Sequence, residues 1–362
     1  MNVVLLFLGL TASIAQAVPL EPAAPPGSIA LQLLDTFARY ATAAYCVGVK
    51  DALSPGKVCE IGRRDACGAL WDATAVLELK GNHTITGNVA VNPSQRLIVV
   101  SFRGTAMSSF RDIMSDLKIC PREPRLFGDV LRWVIEALCG MLPQTPDDAS
   151  DPVLPLCPNC RVHTGFWTAF RGVKADMLAA VKEQQAKNPG FSVVTTGHSL
   201  GGAVATIAGA YLRKSGISTD IYTFGSPRVG DEAFAAFVSG QSEGKTFRIT
   251  NAADPITVSP GIAAGYAHTS PEIWFPDGLD KPETMQQCIG FGNTNCSAQY
   301  LFSLGRISDH YGFKYAKGFV ACPPATDDGR REDPSLPDLS QQDVHEWKSL
   351  GILDNSTVPT TG

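Results

Sequence analysis

The sequence predicts an α/β fold, a mostly parallel central sheet covered by helices. Three observations carry that expectation. From residue 162 to about 320, short β-branched or apolar runs alternate with segments of helical spacing, the pattern of strands joined by helical crossovers. At one such junction, residues 193–205 (VVTTGHSLGGAVA), a strand pattern runs through Gly197-His198-Ser199-Leu200-Gly201 into an alanine-rich helical pattern. The chain has 362 residues, 44% of them hydrophobic and 18% charged, enough to bury a sizeable core.

The corner in that junction is a G-x-S-x-G motif in the context its chemistry needs, strand before and helix after. A nucleophilic serine must stand clear of its own backbone, so the turn is tight and strained. A side chain at 197 or 201 would collide with the neighbouring strand or helix, which explains glycine at both positions. The helix starting at Ser199 aims its first N–H groups at a developing oxyanion.

Residues 1–17 (MNVVLLFLGLTASIAQA) join an apolar run, too short to span a bilayer, to an A-x-A cleavage pattern. They read as a secretory signal, so the expected location is extracellular. Residues 18–27 form a Pro/Ala-rich leader. Ser28 can cap a helix with Ile29, Leu33, Phe37, Tyr40 and Ala44 on one face. Strand patterns at 75–79, 87–92 and 96–102, separated by turn signals, predict an antiparallel meander.

After the third of these, Met107, Phe110, Ile113, Met114 and Leu117 recur at helical spacing opposite a polar face. A second apolar segment spans 130–141 and includes Trp133. From 162 onward the spacing predicts a helix through Phe166, Phe170, Val173, Met177 and Val181 that ends at Asn188-Pro189-Gly190. Further strands are expected at 221–224, 246–250 and 273–275, and helices at 231–238 and 309–320. Residues 323–362 are Pro-, Asp- and Ser-rich and read as a disordered tail.

A net charge of −5 without a basic stripe argues against nucleic acid as a partner. No internal stretch is apolar enough for an integral membrane helix. Ten cysteines fit an exported, oxidised protein, and short loops favour the pairs Cys59–Cys67, Cys157–Cys160 and Cys288–Cys296. A zinc site at Cys157-Pro-Asn-Cys160 would lack a second C-x-x-C pair. Asn82 and Asn355 begin glycosylation sequons.

A serine nucleophile needs a base, and the base an orienting acid, in the α/β-hydrolase chain order Ser, Asp/Glu, His. His83 and His163 precede Ser199. His198 sits beside it but points away across the turn, more suited to packing on the sheet, and His345 lies in the tail. His268 and His310 remain, and spacing does not choose between them. For the acid, Asp254 follows a predicted strand in NAADP, with Asp231 and Asp220 as alternatives; Asp231 can equally cap the helix after it.

The chain resembles the filamentous-fungal triacylglycerol lipases, the class 3 lipases of the α/β-hydrolase fold. The matching stretches are VVSFRGT (99–105), RVHTGF (161–166), TTGHSLGGA (195–203), TFGSPRVGD (223–231), NAADPI (251–256) and DHYGF (309–313). They cover about residues 28–322, the expected hydrolase domain. The resemblance implies Ser199 as nucleophile, Asp254 as acid and His310 as base, with His268 structural. It implies an oxyanion hole formed by Thr105 and the N–H of Leu200. It makes the segment after Thr105 a lid, part of an insertion at about 106–158, with Met107, Phe110, Ile113, Met114 and Leu117 covering the serine in water and facing lipid when open. Residues 118–158 are longer than the usual connection and suggest an enlarged cap, stapled by Cys120–Cys139. The family's disulfide from the first helix to the chain's end maps to Cys46–Cys322.

The expectation is a secreted lipase acting on acylglycerol esters at a lipid–water interface through an acyl-enzyme, without metal or cofactor. Rival readings are a feruloyl-type esterase or phospholipase A1 of the same fold, or a non-catalytic secreted protein that binds lipid or wall material.

Overall fold

The computed structural model describes residues 28–46, 58, 70–81, 85–104, 143–144, 150–151, 153–300 and 305–315. The expected signal, leader and tail and most of the expected insertion at 106–158 lie outside them.

An eight-stranded sheet forms the centre, in the order β1-β2-β3-β6-β7-β8-β9-β10. Its strands are β1 (Thr74–Lys80), β2 (Thr86–Asn92), β3 (Leu97–Phe102), β6 (Ser192–His198), β7 (Thr219–Phe224), β8 (Thr246–Asn251), β9 (Glu272–Phe275) and β10 (Gln286–Cys288). A separate two-residue pair joins β4 (Pro143–Gln144) to β5 (Val162–His163). The expected meander is present: β1, β2 and β3 pair antiparallel. From β3 to β9 every pairing is parallel. Strand β10, which the sequence pattern did not disclose, returns antiparallel on β9.

Both faces of the parallel part are buried, so its strands lack the apolar–polar alternation of a half-exposed sheet. Ile98, Val100, Phe102, Val193 and Ile221 point into one core with the helices Thr164–Arg171, Lys174–Lys187 and Leu200–Lys214. Val99, Val194, Tyr222, Phe224 and Ile249 point to the other, beneath the helix Ser28–Ala43. Leu200–Lys214 is apolar around most of its circumference because it is buried along its length.

Two helical expectations are corrected. In Ser28–Ala43, Phe37 and Tyr40 face the core as expected, and Ala44 is buried in the turn that follows, but Leu33 is 41% exposed and Leu34, at 5%, takes its place. Leucines on both sides of one turn leave the orientation to packing. The helix expected through 166–188 is two, broken at Gly172-Val173, where Gly172 caps the first. All five of its predicted core residues are nonetheless buried. In the 309–320 segment, the described residues form two short turns, Ile307–His310 and Gly312–Tyr315.

The pairs Cys157–Cys160 and Cys288–Cys296 are disulfides. Cys59, Cys67, Cys120, Cys139 and Cys322, the Cys46 side chain, Asn82 and Asn355 lie outside the described residues. Among the described residues no helix is long and apolar enough to cross a membrane.

Candidate active site

The parallel strands end together, and their carboxyl ends carry the predicted site, as in other open α/β sheets. Phe102 of β3 pairs with Gly197 of β6, which pairs with Thr223 of β7. Ser199 follows β6 immediately, and Asp254 follows β8 by three residues.

Ser199 sits at φ 58°, ψ −129°, a backbone region that a side chain adopts at a cost of order 1–3 kcal/mol. The fold holds it there with bonds from Ser199 N–H to Phe224 O (3.0 Å) and from Gly202 N–H to Ser199 O (2.9 Å). The two motif glycines are required sterically. A Cβ at Gly197 would lie 2.3 Å from the main chain of Gly201, and one at Gly201 would lie 2.2 Å from Phe102 O. Leu200 opens the helix, so its N–H belongs to the end whose first donors have no intrahelical acceptor.

The structure brings Ser199, His310 and Asp254 into one hydrogen-bonded chain. His310 Nε2 lies 2.8 Å from Ser199 Oγ, and His310 Nδ1 lies 2.8 Å from Asp254 Oδ2. Because a carboxylate only accepts, Nδ1 carries the proton and Nε2 presents its lone pair to the serine hydroxyl. All three side chains are buried, Ser199 and Asp254 at 1% and His310 at 0% exposure. Of His268 and His310, between which spacing did not choose, it is His310 that lies against Ser199. His268 donates Nε2–H to Thr257 O, away from this chain. Asp231 caps the helix Glu232–Gly240 through Phe234 N–H, and Asp220 accepts from Lys245 N–H.

Several contacts around Asp254 and His310 were not foreseen. Asp254 Oδ2 also accepts from Tyr315 Oη (2.6 Å), and Asp254 Oδ1 from Ile256 N–H (2.8 Å). Burial and the neighbouring Asp254 push the Tyr315 hydroxyl well above its ordinary pKa, so it remains a donor. Tyr315 Oη itself accepts from Asn251 N–H (3.1 Å). Asp309 Oδ2 accepts from Ala253 N–H (3.1 Å) and Arg306 Nε–H (2.9 Å), and Asn251 Nδ2 donates to Asp309 O (2.9 Å). The loops bearing Asp254 and His310 are thus stitched together by polar groups. The DHYGF match holds Asp309, but no periodic signal marks Tyr315.

His198 stays outside the Ser–His–Asp chain, as expected, but it does more than pack: both its ring nitrogens are bonded. Thr105 and the expected lid residues Met107, Phe110, Ile113, Met114 and Leu117 lie outside the described residues. Gly104, just before Thr105, passes against the elbow, where an added Cβ would fall 3.1 Å from Ser199 Cβ.

Sheet topology, strained elbow and the buried Ser–His–Asp chain together define an α/β-hydrolase. Comparison with known proteins narrows this. Residues 99–264 match the family model described as "Lipase (class 3)". Secreted mono- and diacylglycerol lipase 1 of Fusarium solani is 50% identical over 146 residues, 39% of this chain and 44% of that protein. The lipase of Rhizomucor miehei is 30% identical over 231 residues, 62% of this chain and 54% of that one. The chain therefore spans about half the length of the relatives it matches. Among solved structures, the mono- and diacylglycerol lipase from Aspergillus oryzae superposes with a TM-score of 0.61 at 25% identity, covering 79% of this chain and 96% of that one. These likenesses are to fungal lipases and to the class 3 lipase model, the family that the motifs resemble.

Proposed function

We propose that this protein is a secreted serine lipase that hydrolyses the carboxylic ester bonds of acylglycerols. The observation that carries the reading is the hydrogen-bonded order Ser199–His310–Asp254 at the sheet's carboxyl end. Support for the substrate class and for secretion comes from the similarity to secreted mono- and diacylglycerol lipases.

In this mechanism Ser199 Oγ attacks the ester carbonyl carbon while His310 Nε2 takes its proton. Asp254 keeps Nδ1 protonated and steadies the imidazolium. The tetrahedral oxyanion is held by the N–H of Leu200 and by the N–H and hydroxyl of Thr105. Collapse expels the glyceride alkoxide, which receives the proton from His310, and leaves the fatty acyl group on Ser199. Water, deprotonated by the same nitrogen, then releases the fatty acid and regenerates the serine.

With Ser199 buried, an ester reaches Oγ only when its cover moves. We assign that cover to the amphipathic segment after Thr105. Each large apolar side chain it exposed to water would cost roughly 1.5–3 kcal/mol, so opening is favoured where lipid replaces water.

The test is hydrolysis of a glyceride series below and above the solubility limit, with Ser199→Ala as control. Turnover that vanishes in the variant and rises at the limit is expected. Undiminished turnover by Ser199→Ala would sink the catalytic reading, and a rate indifferent to the limit would sink lid control.

A further inference from the structure

A second buried polar chain runs beside the first. Tyr45, in the turn Ala44–Cys46, places Oη 2.8 Å from His198 Nδ1. The opposite nitrogen, His198 Nε2, lies 2.6 Å from the main-chain oxygen of His310. A carbonyl only accepts, so Nε2 carries the His198 proton, and Tyr45 must donate to the lone pair on Nδ1. Burial, and next the neighbouring His310, hold the His198 imidazole well below its ordinary pKa. Burial lifts the Tyr45 hydroxyl above its own. One protonation pattern therefore persists: neutral imidazole, protonated phenol.

The same tyrosine reaches the end of β3. The Gly104 main chain lies against its hydroxyl: a Cβ at Gly104 would come within 2.4 Å of Oη. The His198 ring also lies over that of His310, centroids 4.7 Å apart.

We propose that His198 is a positioning residue for His310, and that Tyr45 sets the tautomer that lets it act. This rests on the reading of His310 as the base. Asp254 fixes the far side of the His310 ring but leaves open where its main chain stands. The bond from His198 Nε2–H ties that main chain to the residue preceding the nucleophile, so serine and base share one anchor. The Gly104–Tyr45 contact extends the anchor to the strand end that leads to Thr105. A neutral ring over His310 also adds no repulsion when His310 becomes the imidazolium. Without the tie, the base can drift while the fold persists, and a misplacement of about 1 Å at a reacting group can cost on the order of a hundredfold in rate.

The test uses Tyr45→Phe, His198→Leu and His198→Gln in the full chain, with hydrolysis of soluble p-nitrophenyl butyrate and the low-field proton resonance of His310 Nδ1–H. Tyr45→Phe keeps the ring and should lower kcat about tenfold with KM within about twofold, since one buried hydrogen bond is lost. His198→Leu should lower kcat by about a hundredfold, and His198→Gln, whose amide can still donate to the carbonyl, should recover most of it. The resonance should shift or broaden in Tyr45→Phe and His198→Leu.

Wild-type kcat and an unmoved resonance in Tyr45→Phe and His198→Leu would overturn the proposal, as would an equal loss in His198→Gln and His198→Leu. If His198→Leu does not fold, Tyr45→Phe decides. If the wild-type protein hydrolyses no ester, the lipase reading fails separately, and the resonance alone decides the positioning role.

Discussion

The elbow and the loops facing it are held by different forces. Around Ser199 the constraint is steric: glycines at 197 and 201 stand where a methyl group would strike main-chain atoms at 2.2–2.3 Å. Around Asp254 and His310 the constraint is polar, with bonds spanning 56 residues from Asp254 to His310 and 61 from Asp254 to Tyr315. A steric constraint is written in a few consecutive residues. A polar one depends on partners that only folding brings together, and each partner contributes separately.

Breaking the chemistry at the elbow gives the largest effect. Ser199→Ala should lower kcat by a factor on the order of 10⁴–10⁶ and abolish labelling by a fluorophosphonate probe, with the thermal midpoint preserved. On the polar side, Asp254→Asn should cost on the order of 10⁴ in kcat, because the amide favours the wrong tautomer of His310. Stability separates the two regions next. Gly201→Ala should destabilise by about 3 kcal/mol or more in urea unfolding, since backbone must move to admit the methyl group. Gly240→Ala meets nothing within 4 Å and should be near neutral. If Gly201→Ala unfolds like Gly240→Ala, the steric account of the elbow is wrong.

Acid should loosen the polar framework before it affects the elbow's sterics. Burial first, then the nearby Arg248 and Arg228, holds His268 well below its ordinary pKa of 6.5, and burial likewise depresses His198. As pH falls through 6.5, the unfolded chain gains protons that the folded one refuses. The associated stability is therefore complete above that value and declines below it, by up to about 1.4 kcal/mol per pH unit for each histidine. His268→Gln should flatten the fall in thermal midpoint between pH 6.5 and 5 by one histidine's share. An unchanged slope would show that His268 is protonated in the folded state. The smallest loss of activity expected is from Tyr315→Phe. It removes one of two donors to Asp254 Oδ2 and should cost about 1 kcal/mol in kcat/KM, read as a fivefold to tenfold fall.

Sequence reading reached furthest where the cause is local. The strand–serine–helix corner, the meander, the helix cap at Asp231 and the two short-loop disulfides at Cys157–Cys160 and Cys288–Cys296 all follow from residues close in the chain. It failed where two local readings were equally good. The helix Ser28–Ala43 offers leucines at 33 and 34, and only the neighbouring sheet shows which one is buried. The apolar spacing from Phe166 to Val181 continues unbroken, yet the first helix ends at Gly172 and a second begins at Lys174. His268 and His310 satisfied the order rule equally, and family resemblance rather than spacing separated them.

The residues alone determined the α/β class, the strand–serine–helix corner and the glycines that shape its turn, because atoms a few bonds apart collide or clear one another wherever the rest of the chain goes. Only the tertiary structure placed a histidine against Ser199 on physical grounds, where spacing offered two, and showed that Tyr45, His198 and Tyr315 surround the pair. Those bonds close loops of up to 153 residues, and a hydrogen bond between distant side chains forms only after packing has brought both to one place and removed the water that would otherwise satisfy them.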